Sequence, residues 1–148
     1  MKVESVRLRL VLIGPLRLAL GAAFLVGADA AGAETGPALV LFAVGALALV
    51  FLLFNDPRAP FRRAAHVRAP LPDTASVAPA WLHAAHAALP STVGVSALAA
   101  VALWGRPDVA ALLAGMLAGL GIAALLSAFR VDPGLYVEPH TGSVFLKR

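Results

Sequence analysis

The run VAALLAGMLAGLGIAALLSAF, from Val109 to Phe129, holds 21 consecutive residues without a charge. About 20 apolar residues in a helix cross a hydrocarbon core ~30 Å thick. In lipid a helix satisfies its own backbone hydrogen bonds. The run is continuous rather than alternating, which excludes a strand of a membrane barrel. It predicts a membrane-spanning helix over 109–129, and the rest of the chain is read outward from it.

Three further apolar segments precede it: Leu10–Ala28, Pro37–Phe54 and Trp81–Trp104. The chain is 60% hydrophobic and 14% charged, against ~45–50% and ~25% in soluble domains. A soluble domain of 148 residues could not hide so much apolar surface. The expected fold is an all-α integral membrane protein. A single membrane domain over 1–148 forms a four-transmembrane-helix bundle of two antiparallel hairpins. Spans of 10–28, 37–54, 81–104 and 109–129 leave a loop at 55–80 and a tail at 130–148.

Basic residues set the orientation. Lys2, Arg7, Arg9 and Arg17 lie at or near the start of the first segment, Arg58, Arg62, Arg63 and Arg68 follow the second, and Arg130, Lys147 and Arg148 follow the fourth. Eleven of the 12 thus share one side, and Arg106 alone lies on the other. The positive-inside rule makes the shared side cytoplasmic, with both termini on it. Trp81 and Trp104 are 23 residues apart, about 35 Å along one continuous helix, which suits two interfacial anchors. The competing reading places Trp81 on a surface helix and starts the span near Pro90. A cleaved leader competes for the first segment, with small-residue sites around Ala28–Ala33.

Pro15 and Pro90, and Asp56-Pro57 and Asp132-Pro133, recur at an offset of 75–76 residues. They read either as an internal repeat about an axis along the membrane normal or as chance use of a common helix-stop signal. The prolines at 57, 60, 70, 72 and 79 predict an irregular loop. Leu135–Glu138 and Ser143–Leu146 around Pro139–Gly142 predict a β-hairpin. Alone it would be marginal in water, so it is expected to pack on the loop, the headgroups or a partner.

Few residues could carry chemistry. Arg17 lies about 15 Å into the first helix, where a charge costs at least ~2.5 kcal/mol and marks a functional candidate. The alternative is snorkelling to the headgroups. Asp29 and Glu34 lie too far along to pair with it. A backbone carbonyl, a lipid phosphate, a ligand or another subunit must serve. His83 and His86 share a helix face as candidate ligands, but no nearby carboxylate or further donor is apparent beyond His66 and His140. No metal or cofactor is expected, since zinc catalysis needs at least three protein ligands. Gly115 and Gly119 on the fourth helix, and Ala23 and Gly27 on the first, form small-residue faces for close packing. Ser96 and Ser127 are expected to bond back to their own helices.

The absences narrow the classes. Cysteine is absent, which excludes thiolate metal sites and dithiol chemistry. No metalloprotease, nucleophile-elbow or Walker motif occurs. No carboxylate lies deep in a span, against a small multidrug exporter. The basic residues flank apolar runs rather than forming an aromatic-interleaved block, which argues against nucleic acid. Leu16-Arg17-Leu18-Ala19-Leu20-Gly21-Ala22-Ala23-Phe24-Leu25 resembles the first helix of DoxX-like four-helix membrane proteins over about a tenth of the chain. The acidic residue of that family's second helix is missing here. The leading expectation is a non-enzymatic accessory or scaffold protein of a bacterial inner membrane. Its partners would be the bilayer and either a larger membrane complex or copies of itself. The alternative is a small transporter or lipid- or ligand-binding bundle that uses Arg17.

Overall fold

The structure, a computed structural model, describes residues 2–55, 69–141 and 143–147. Asp56, Pro57, Arg58, Pro60, Arg62, Arg63, His66, Arg68, Gly142 and Arg148 lie outside the described residues. The elements run β1 (Lys2–Ser5), α1 (Val6–Ala30), α2 (Thr35–Asn55), β2 (Ala69–Pro70), β3 (Ser76–Val77), α3 (Ala80–Ala88), α4 (Ser91–Gly105), α5 (Pro107–Arg130), β4 (Leu135–Val137) and β5 (Val144–Leu146). The chain is mostly helical. Among the described residues three helices, α1, α2 and α5, are long and apolar enough to cross a membrane, giving up to four spans if α3 and α4 make one bent span.

α5 is the centre. Of its most apolar window 56% is buried inside the molecule, against 17% for α1 and for α2. Small residues explain how three backbones come so close. A Cβ on Gly119 would lie 2.5 Å from the Ala46 carbonyl oxygen, and one on Gly115 would strike Phe42, so this face of α5 packs on α2. A Cβ on Gly121 would lie 2.7 Å from the Gly14 carbonyl oxygen, and one on Gly21 would lie 2.8 Å from that of Ala114. These registers run α2 parallel to α5 and α1 antiparallel to it. The seam of α1 is therefore Gly14, Gly21 and Ala28, all buried, at the seven-residue spacing that keeps one stripe on a nearly antiparallel neighbour. The expected Ala23/Gly27 face is not that seam. Ala23 is exposed, and a Cβ on Gly27 would make only ordinary contact, 3.4 Å, with Leu103.

Local signals place the ends. Ser5 caps α1, its hydroxyl accepting from the Leu8 N–H at 3.3 Å. α1 continues through Pro15. After α1, Gly32 turns the chain at φ +95°, a conformation glycine adopts without a Cβ clash. Thr35 Oγ1 donates to Asp29 Oδ1 at 3.0 Å across the turn.

The third segment departs from the expected single helix. α3 and α4 meet at a 56° bend. A residue before proline is pushed out of the helical region, and Leu89 is extended at φ −91°, ψ 142°. The Leu89–Pro90 peptide is cis. Trp81 and Trp104 therefore sit on different helices, 70% and 90% exposed, and the 35 Å helix between them does not exist. Pro15 lies inside a helix and Pro90 at a break, so these matching points of the two halves are not structurally equivalent.

The all-α expectation is also corrected. Among the described residues five short strands form one sheet in the order β2-β5-β4-β1-β3. β4 and β5 pair antiparallel, Leu135 with Leu146 and Val137 with Val144, as the tail hairpin. The loop expected to be irregular supplies both edge strands, β2 beside β5 and β3 beside β1. The inner strand β1 comes from the start of the chain, pairing Glu4 with Val137. Two- and three-residue strands carry no readable alternation, which is why the sequence hides most of the sheet. Beneath it Val6, Leu10, Ile13, Ala87, Ala124, Ala128, Val131 and Leu135 form a buried cluster. A second cluster, Ala28, Ala38, Ala110 and Ala111, closes the far end of the helices.

Candidate functional site

The polar side chains that the sequence singled out converge on the elbow between α3 and α4, where β1 and the first half of α1 also meet. α3 is short and its last carbonyls lack helical donors, as at any helix end. Two arginines of α1 supply them. Arg9 Nη2 donates to the His86 carbonyl at 3.2 Å, and Arg17 Nη2 donates to that of Ala87 at 3.2 Å. Cationic groups also suit the negative end of a helix dipole.

Arg17 reaches across the break as well. Its Nε donates to Thr92 Oγ1 at 2.7 Å and its Nη2 to Ser91 Oγ at 3.0 Å. One guanidinium thus ties the end of α3 to the start of α4 from a third helix. Arg17 lies 11 residues beyond Val6, about 17 Å along α1. Its partners are a carbonyl and two hydroxyls, and no carboxylate pairs with it among the described residues.

His83 is fully buried. Its Nε2 accepts from the Ser5 N–H at 2.9 Å, and its Nδ1 faces the Pro79 carbonyl at 2.9 Å. A carbonyl can only accept, so the proton belongs on Nδ1 and the ring is the neutral Nδ1–H tautomer. Both nitrogens are committed, which removes His83 as a metal ligand. The ring joins the end of β1 to the first turn of α3.

His86, a turn further on, has the partner that the sequence concealed. Its Nδ1 lies 2.5 Å from Oε1 of Glu4, a fully buried residue of β1. Glu4 and His86 are 82 positions apart, so no local spacing announces the pair. The expectation of no nearby carboxylate is corrected. Glu4 Oε2 is buried without a hydrogen-bond partner among the described residues. Glu4, Arg9, Ser91 and Thr92 were not singled out by sequence. The only hint was that Glu4 and Arg9 flank the start of a long apolar run.

The remaining candidates fall elsewhere. Gly115 and Gly119 lie on the α2 seam, and Ala23, Gly27 and Trp104 lie away from the elbow. Trp81 is in the first turn of α3 with its ring exposed. His140 is exposed in the tail turn. Ser96 Oγ, expected to bond back to its helix, is buried with no hydrogen-bond partner among the described residues. Among the described residues no three of His, Cys, Asp and Glu group to hold a metal ion. At the other end of the helices Arg106 makes two hydrogen bonds to Asp108, at 2.8 and 3.1 Å. That contact raises the Arg106 pKa above its ordinary value, through the hydrogen bond first and the carboxylate charge second.

Comparison of the chain with family models, with curated proteins and with solved structures finds no match. The local likeness of Leu16–Leu25 to DoxX-like proteins therefore assigns no family.

Proposed function

We propose that this is a multi-pass protein of a bacterial inner membrane with four crossings in two antiparallel hairpins. Both termini and the small sheet face the cytoplasm. It works as a non-enzymatic accessory or scaffold subunit, packing against a larger membrane complex or another copy of itself.

The observation that carries the topology is a matter of parity. β1 precedes α1, β3 lies between α2 and α3, and β4 follows α5, yet all three join one sheet. A water-facing sheet lies on one side of a bilayer. Its strands must be separated by even numbers of crossings, which requires the α3–α4 segment to contribute a single crossing. Charge supports the same side as cytoplasmic. The one basic residue of the far side, Arg106, is offset locally by Asp108. Trp104 and Trp81 then suit the two interfaces.

The scaffold role is supported by what the polar residues do. Both nitrogens of His83 and three donors of Arg17 are spent on holding elements together. Val40, Val44 and Leu47 on α2, and Leu98 and Val101 on α4, are exposed, offering apolar faces to lipid or a partner helix. One observation favours the second reading, a lipid- or ligand-binding bundle: Arg17 Nη1 has no hydrogen-bond partner among the described residues. Blue-native electrophoresis after mild extraction, with mass spectrometry of what co-migrates, tests the role. The scaffold reading expects a defined larger species and fails if only monomer is found. A C-terminal alkaline phosphatase fusion should be inactive and a green fluorescent protein fusion bright. The reverse pattern overturns the topology.

A further inference from the structure

We propose that Arg9, Arg17 and Ser91 bind a phosphate group at the α3–α4 elbow, the phosphate of an anionic glycerophospholipid. The inference rests on the membrane reading but not on the scaffold role.

The argument starts from unspent donors. A guanidinium carries five N–H donors. Arg17 uses its Nε and Nη2, and Arg9 uses only its Nη2. The Nη1 group of Arg17, and the Nε and Nη1 groups of Arg9, have no partner among the described residues. The two carbonyls that the arginines hold belong to adjacent residues, His86 and Ala87, so both guanidinium groups sit at one helix end. Neither is ion-paired to a carboxylate among the described residues. Glu4, the nearest acid in the cluster, is turned to His86.

Two like charges at one partly buried place repel and are poorly hydrated, so an anion between them gains more than it would at an open surface. Phosphate matches the planar fork of arginine through paired N–H···O bonds. Ser91 adds a donor. Its hydroxyl oxygen accepts from Arg17, which leaves its own proton free, and the residue is exposed.

The surroundings select a lipid over a free anion. Leu16, Leu89 and Val93, each next in sequence to an elbow residue, are 44%, 58% and 52% exposed. They give acyl chains an apolar surface beside the phosphate donors. Basic residues at the cytoplasmic edge of a membrane attract anionic headgroups in general. Here the hydroxyl and the two forks add a defined geometry.

The test uses the full-length protein in a neutral detergent. Native mass spectrometry is run after addition of phosphatidylglycerol or phosphatidylcholine, for wild type and for Arg9→Gln, Arg17→Lys and Ser91→Ala. Wild type should retain one phosphatidylglycerol and not phosphatidylcholine. Arg9→Gln and Arg17→Lys should each bind about tenfold more weakly, and Ser91→Ala by a smaller factor. Circular dichroism and elution volume identify any variant that fails to fold. Ser91→Ala, altered at an exposed hydroxyl, serves if either arginine variant does. A second arm adds inorganic phosphate at millimolar concentration. Failure to displace the lipid supports a lipid site, and full displacement supports a site for phosphate alone. Equal retention of the two lipids, or unchanged phosphatidylglycerol binding in every folded variant, overturns the proposal. A protein that never enters the membrane fraction would instead refute the membrane reading beneath it.

Discussion

Two prolines, 75 residues apart, meet opposite fates. Pro15 sits within α1 and the helix runs through it. Pro90 ends α3, and the chain resumes at a 56° bend. Each removes one backbone donor, so the residue type does not decide the outcome. The neighbours do. Gly14, before Pro15, is buried against Gly121 and Leu125 of α5, and the seam continues to Gly21 and Ala28. Packing on both sides of the proline keeps α1 on course. Leu89, before Pro90, is exposed, and nothing holds it in a helix. There the ends are secured by hydrogen bonds from α1. One region is held by close backbone contact and the other by polar side chains. The two should fail differently.

The largest effect should come from spoiling the seam. Gly121→Leu would place side-chain atoms where Gly14 and Leu18 stand. Overpacking of this kind costs about 3 kcal/mol or more when backbone is the obstacle. The expected result is little folded protein on size-exclusion chromatography in detergent. Ala23→Leu, on the exposed side of α1, should leave the profile unchanged. If both variants behave alike, close contact is not what carries α1 past Pro15.

Next is His83→Ala, which leaves a cavity and strands the Ser5 N–H and the Pro79 carbonyl. Lost contacts and unpaired groups together should cost about 2–4 kcal/mol, read as a lowered unfolding midpoint. His83→Phe fills the space but not the bonds and should not restore it. Recovery by phenylalanine would show that His83 acts by volume alone.

Arg17→Leu should cost less, about 1.5–3 kcal/mol for charge-assisted hydrogen bonds, and its main sign should be geometric. The chain has no cysteine, so spin labels at Trp81→Cys and Trp104→Cys report the elbow without background. The distance distribution should broaden in Arg17→Leu. An unchanged distribution would mean that the bend needs no clamp. The smallest change in the elbow is expected from Pro90→Ala, with the bend retained because Arg9 and Arg17 still hold the α3 carbonyls. A single straight helix in that variant would assign the elbow to proline instead.

The legible parts of the fold were those written in local physics. α1, α2 and α5 could be read because a charge-free run of membrane length has few other uses. The β4–β5 hairpin could be read from two strand-like runs about a turn. The break at Pro90 was legible only as an alternative, because proline's effect depends on packing that lies elsewhere in the chain. Arg17 stood out as a charge in an apolar run. Its partners did not, since Ser91, Thr92 and Ala87 are unremarkable residues 70–75 positions away. Glu4 was missed for the same reason. Nothing in Lys2–Ser5 indicates a strand that inserts between β4 and β3.

That placement of β1 has a consequence for how the chain is made. A ribosome delivers Lys2–Ser5 well before Leu135–Leu146, with 129 residues between Ser5 and Leu135, on the order of ten seconds of synthesis. Throughout that interval the inner strand has no antiparallel neighbour, although His86, the partner of Glu4, follows it by only 82 positions. On the proposed topology, the sheet closes only after the final helix has entered the bilayer and released the tail on the side where β1 was left. Closure therefore reports on insertion. A nascent chain with a helix left out would deliver its tail to the wrong face and keep an open strand edge, the kind of surface that quality-control proteases and chaperones recognise.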